Sequence, residues 1–142
     1  MKTLNETDER GKNEAPVFVK PLINHLISAI HYCSTLKGIL IINDVSPDLK
    51  SGSDINVLAL VLGNLIKEAI SYSEDDCIRI SSSDSGEIIF SSKKSDLARN
   101  RSFMVSVDSL QVIAQRLGTP VFISGSFNHG TEIFVCFNKT AA

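Results

Sequence analysis

The sequence predicts a two-layer α/β (α+β) sandwich, with three helices on one face of a mixed, mainly antiparallel sheet of about five strands. Three observations carry that expectation. Apolar residues recur in steps of three and four over Pro21 to Lys37, Ile55 to Tyr72 and Val107 to Leu117, the spacing of one helix face. Short runs rich in β-branched and aromatic residues lie between and after them. Turn formers punctuate the boundaries: Ser46-Pro47, Asp84-Ser85-Gly86 and Gly118-Thr119-Pro120.

Residues 1–16 are polar and end at Pro16, so they read as a disordered leader before a single domain spanning 17–142. The first helix places Leu22, Leu26, Ala29, Cys33 and Leu36 on one face; Pro21 suits its first turn and Gly38 its C-terminal cap. Ile39 to Val45 then forms a buried strand. Ser53 or Asp54 caps the second helix, which turns Ile55, Leu58, Leu62, Leu65, Ile66 and Ala69 inward and ends before the acidic turn Glu74-Asp75-Asp76.

Cys77 to Ile80 and Glu87 to Phe90 form an antiparallel hairpin around Asp84-Ser85-Gly86. Ser91 to Ser102, with Lys93, Lys94, Arg99 and Arg101, is expected to be a mobile surface loop. In the third helix Leu110, Ile113, Ala114 and Leu117 should point inward. Val121 to Ile123 and Glu132 to Phe137 form the last two strands, joined through Phe127-Asn128-His129-Gly130. Leu26, Leu58, Leu62, Leu65, Ile113 and Phe134 should therefore be buried together.

Composition narrows the function. A net charge of -2 and a pI of about 5.9 give no basic field for nucleic acid or anionic lipid. The leader lacks a signal-peptide core and no run approaches the ~20 apolar residues of a membrane span, so a cytoplasmic, membrane-free protein is expected. Cys33, Cys77 and Cys136 are far apart and read as reduced core thiols. His25 and His31 are six apart on a helix, too far round for shared metal ligation, and His129 sits in a turn; all three read as ordinary helix or surface residues.

The segment Asn56-Val-Leu-Ala-Leu-Val-Leu-Gly-Asn-Leu-Ile-Lys-Glu-Ala-Ile-Ser-Tyr-Ser73 resembles the N-box helix of the histidine-kinase-type (GHKL, Bergerat-fold) ATPases. The preceding helix-strand-helix and the closing Gly130-Thr131-x-x-Phe134 match that family's layout, from about Phe18 to Asn138. The resemblance implies a histidine-kinase-like ATPase fold, and ATP with magnesium as the cofactors to test. Its nucleotide-binding candidates are Asn64, Glu68, Tyr72, Gly130 and Thr131.

The family's magnesium-binding Asn falls at Glu68. A carboxylate there can hold magnesium or act as a general base on water, so Glu68 is the one metal ligand and catalytic group available if nucleotide binds. The other reading is a solvated helix residue facing an empty groove, and Asn64 and Tyr72 can likewise be helix surface. The family's adenine-binding Asp is missing: Ser91 to Ser95 occupies its place, Asp84-Ser85-Gly86 comes too early, and Asp96 is the nearest carboxylate.

The phosphate-cradling glycine turn is replaced by Phe103-Met104-Val105-Ser106-Val107-Asp108, with no glycine. The lysines and arginines from Lys93 to Arg101 fall where relatives carry the lid over ATP. Three functions follow as expectations: a signalling module in a two-component-type pathway that binds another protein (a histidine kinase, response regulator or similar regulator), an ATP-binding kinase or ATPase subunit of sensor or anti-sigma-factor type, or a groove that takes another small ligand. The chain is too short to include phosphoacceptor helices, so phosphotransfer would need a partner chain. In the first case Phe103 or Met104 should partly fill the groove beside Glu68.

Overall fold

The computed structural model describes residues 16–74, 76–92, 97–119, 121–126 and 131–137. The expected leader, Lys93, Lys94, Asp96 and the turn from Phe127 to Gly130 lie outside the described residues.

A five-stranded mixed sheet carries the domain. Its strands are β2 (Leu40–Asp44), β4 (Cys77–Ser82), β5 (Ile88–Ser92), β6 (Val121–Ser126) and β7 (Thr131–Phe137), in the order β2-β4-β5-β7-β6. The β2–β4 pair is parallel, because α3 (Ile55–Tyr72) crosses between those strands, and every other pair is antiparallel. Gly86, with φ of +91°, makes the β4–β5 hairpin turn, a backbone state that side chains with a Cβ resist. Alternation along the strands sends Ile78, Ile80, Ile88, Phe90, Val121, Ile123, Ile133 and Val135 into one core under the helices.

Sequence periodicity misses a second, two-stranded sheet. Here β1 (Val17–Phe18) pairs antiparallel with β3 (Lys50–Ser51). Runs of two residues are too short to show a period.

Helix α3 is the centre of the helical layer. Asp54 caps it, its carboxylate accepting from the Asn56 amide at 2.7 Å and the Val57 amide at 3.4 Å. Leu58, Leu62, Leu65, Ile66 and Ala69 are buried as expected, whereas Ile55 in the first turn is exposed. Helix α3 is long and apolar enough to cross a bilayer by length and composition alone, and its place in the core accounts for that apolar character.

The expected first helix is instead two: α1 (Val19–Ala29) and α2 (His31–Lys37), with Ile30 (φ -113°, ψ 15°) closing one and opening the next. The break turns α2 away from the core. Val19 and Ile23 are buried, Leu22 and Leu26 are half-buried, and Ala29, Cys33 and Leu36 are exposed, so the predicted stripe is corrected. Cys33 is correspondingly an exposed thiol rather than a core one, and Cys77 and Cys136 are half-buried. Gly38 ends α2 in the left-handed region, as expected.

The third predicted helix starts six residues early. As α4 (Arg101–Arg116) it follows a short 3-10 turn, Leu97–Arg99, so the expected loop is structured at its described end and Leu97 is buried. Asn100 is the cap: its side-chain oxygen accepts from the Phe103 amide at 2.9 Å. The inward stripe is Phe103, Val107, Leu110 and Ala114, while Ile113 is 42% exposed and Leu117 55%, against the expectation for both. Phe134 is half-buried on the sheet's outer face, its neighbour Ile133 taking the core position.

Candidate functional site

Helices α3 and α4 run antiparallel and frame a groove. Tyr72 meets Phe103, and one turn away Glu68 meets Ser106, so positions descend along one helix as they ascend the other. The groove measures about 240 Å³ and is lined by Asn64, Glu68, Val105, Ser106, Ser109 and Leu110. Asn64 and Glu68 share its wall because they are four residues apart on one helix, while Tyr72, four further on, lies against Phe103 and does not line it. Two of the predicted site residues are thus brought together in the groove.

Each has a defined setting. Asn64 turns its amide back to donate to the Leu60 carbonyl at 2.7 Å. Glu68 is half-buried and accepts from the Ser106 hydroxyl at 3.4 Å, near the limit of a hydrogen bond. Tyr72 packs edge-on against Phe103, the ring centroids 6.3 Å apart at an interplanar angle of 68°. Phe103 itself is 1% exposed, a member of the core. Phe103 and Met104 pack with the core and are not among the residues that line the groove, so the expected filling by one of them is not seen.

The backbone donors at this end are committed to the helix. The Phe103 amide is taken by Asn100, and the Met104 amide donates to the Asn100 carbonyl at 3.0 Å. Only the first amides of a helix lack internal partners, which leaves those of Arg101 and Ser102. The segment that stands at the place of the family's glycine turn, Phe103 to Asp108, is therefore helix throughout.

The remaining candidates separate from the groove or fall outside the described residues. Gly130 is one of the latter; Thr131 opens β7, its backbone paired with Ser92. Asp84-Ser85-Gly86 sits at the start of β5, at the opposite end from Ser92, which removes it from any adenine role. His25 and His31 are exposed, with His31 Nε2 3.3 Å from the Thr35 hydroxyl. Among the described residues no group of three His, Cys, Asp or Glu side chains gathers to hold a metal ion.

Sequence reasoning missed Ser106, Ser109 and the cap Asn100. A cap residue followed by apolar positions 103, 107, 110 and 114, in steps of four, three and four, is the signal that would have found the helix start.

No protein-family model matches the sequence, and no curated protein does. Solved structures match by shape. The cytoplasmic segment of histidine kinase QseC aligns with a TM-score of 0.64 and 15% identity, over 94% of this chain and 83% of that one. Acinetobacter baumannii histidine kinase AdeS aligns at 0.62 and 19% identity, over 85% of this chain and 64% of that one. The ATP-binding domain of PrrB from Mycobacterium tuberculosis aligns at 0.57 and 20% identity, over 87% and 94%. At such identities the likeness is one of fold. The chain has the fold of histidine kinase ATP-binding domains, and Asn64 and Glu68 line the groove that this fold leaves between α3 and α4.

Proposed function

We propose that the chain is a histidine-kinase-like module of two-component-type signal transduction that works in the cytoplasm by binding another signalling protein, with nucleotide binding weakened or lost. One observation carries the reading: α4 begins at Arg101, and its first turn puts Phe103 into the core against Tyr72. The resemblance places the family's glycine turn at this point, where bare amides would meet the phosphates. Helix formation takes up the amides from Phe103 onward, and the Glu68 carboxylate opposes an anionic phosphate at close range.

The described residues that line the groove are poorly matched to MgATP. A groove of about 240 Å³ is smaller than the ~300–1,000 Å³ usual for small-molecule sites. Its polar groups are one carboxylate, one amide turned to its own helix, and two serine hydroxyls. Such a set suits a cationic side chain from a partner better than a triphosphate. Partners of the expected class are a histidine kinase, a response regulator or a similar regulator.

The rival reading, an ATP-dependent kinase or ATPase subunit with Glu68 as an altered magnesium ligand, is favoured by one observation. Asn64 and Glu68 still line an accessible groove. Calorimetric titration of MgATP, MgADP and metal-free ATP into the purified chain separates the two. No binding heat is expected. Micromolar affinity for MgATP, abolished by Asn64→Ala or Tyr72→Ala, would establish the rival.

A further inference from the structure

We propose that the solvent-facing side of α4 is a self-complementary surface that pairs two copies of this chain, antiparallel, about Val112. The helix is apolar on two sides. Its core stripe is already satisfied, yet Val105, Val112, Ile113 and Leu117 are also exposed. A helix that is apolar well beyond its core face calls for a second apolar partner.

The charges identify that partner. Asp108 and Arg116 are exposed, each one helical turn from Val112 on opposite sides of it, and neither has an ion-pair partner among the described residues. Eight residues separate them, about 12 Å of helix, so they are out of reach of each other within α4. A two-fold axis through Val112 sets Asp108 against Arg116 of the partner subunit and repeats the pair on the other side. One acid and one base per chain thus give two ion pairs. A parallel arrangement in register would set like charges against each other.

The same axis runs across the helices, so the α3 side of both copies stays on one side of the interface. Ile113 from each copy then converges there, beside the exposed Leu60 of α3. One helix pair with this rim falls short of the roughly 800 Å² per partner of a standard interface, which places the association in the micromolar range. The inference is independent of whether nucleotide binds.

Sedimentation equilibrium of the full chain, from micromolar to millimolar concentration, tests it. A reversible dimer is expected. Asp108→Arg and Arg116→Asp should each weaken self-association by roughly tenfold or more, while an equimolar mixture of the two single variants should dimerise again, because the opposite charges then face each other across the axis. The double variant should also recover. Both side chains lie in solvent, so unchanged melting temperatures will show that each variant is folded. A chain that stays monomeric throughout overturns the proposal, as does a dimer indifferent to both single reversals or a mixture no more associated than its components.

Discussion

Replacing Phe103 with alanine should destabilise the domain by about 3–5 kcal/mol, measured by urea unfolding against the parent chain. Removing a fully buried ring loses its transfer free energy and leaves a cavity that the surrounding helices and strands only partly collapse. Domains of this kind have about 5–15 kcal/mol in total, so the variant stands near the edge of stability. Val105, two residues on, is 60% exposed, and Val105→Ala should stay within about 0.5 kcal/mol. The contrast is informative. In an open phosphate-binding turn the residue at 103 would face ligand or solvent, and its truncation would cost little.

The second large effect is at the centre of the helical layer. Leu62 is fully buried between α3 and the sheet, and Leu62→Ala should cost about 2–5 kcal/mol, read from the same unfolding curves. Ile113→Ala should cost under about 1 kcal/mol, since its side chain lies on the outer flank of α4. Equal losses at the two positions would contradict the helical phase of α4 described above.

These two sites also mark what the sequence made legible. Along α3 the apolar residues are numerous and the Asp54 cap well placed, so five of the six expected inward residues are buried; Ile55 in the first turn is exposed, and Val57, Val61 and Ile70 are buried as well. Along α4 two apolar stripes compete. Periodicity alone selects 110, 113, 114 and 117 as readily as 103, 107, 110 and 114, and the decision is made by Asn100, a cap that fixes the helix start and so the face that meets the sheet. The break at Ile30 has no proline or glycine to announce it.

The site was legible in its α3 wall and not in its α4 wall. Asn64 and Glu68 are set by spacing on one helix, which a sequence displays directly. Ser106 and Ser109 reach the same groove only because α4 extends to Arg101, a consequence of the cap and the buried Phe103 rather than of any motif.

The central claim is that the helix start at Arg101, with Phe103 in the core, has replaced the surface that would hold the phosphates. The melting temperature of the chain with and without millimolar MgATP tests it most directly, because only a ligand that prefers the native state raises it. At a hundredfold excess over its dissociation constant a bound nucleotide would add about 2.7 kcal/mol, a rise of roughly 5 to 20 °C for a domain of this size. No change in melting temperature is the predicted result; a rise of that order would contradict the account.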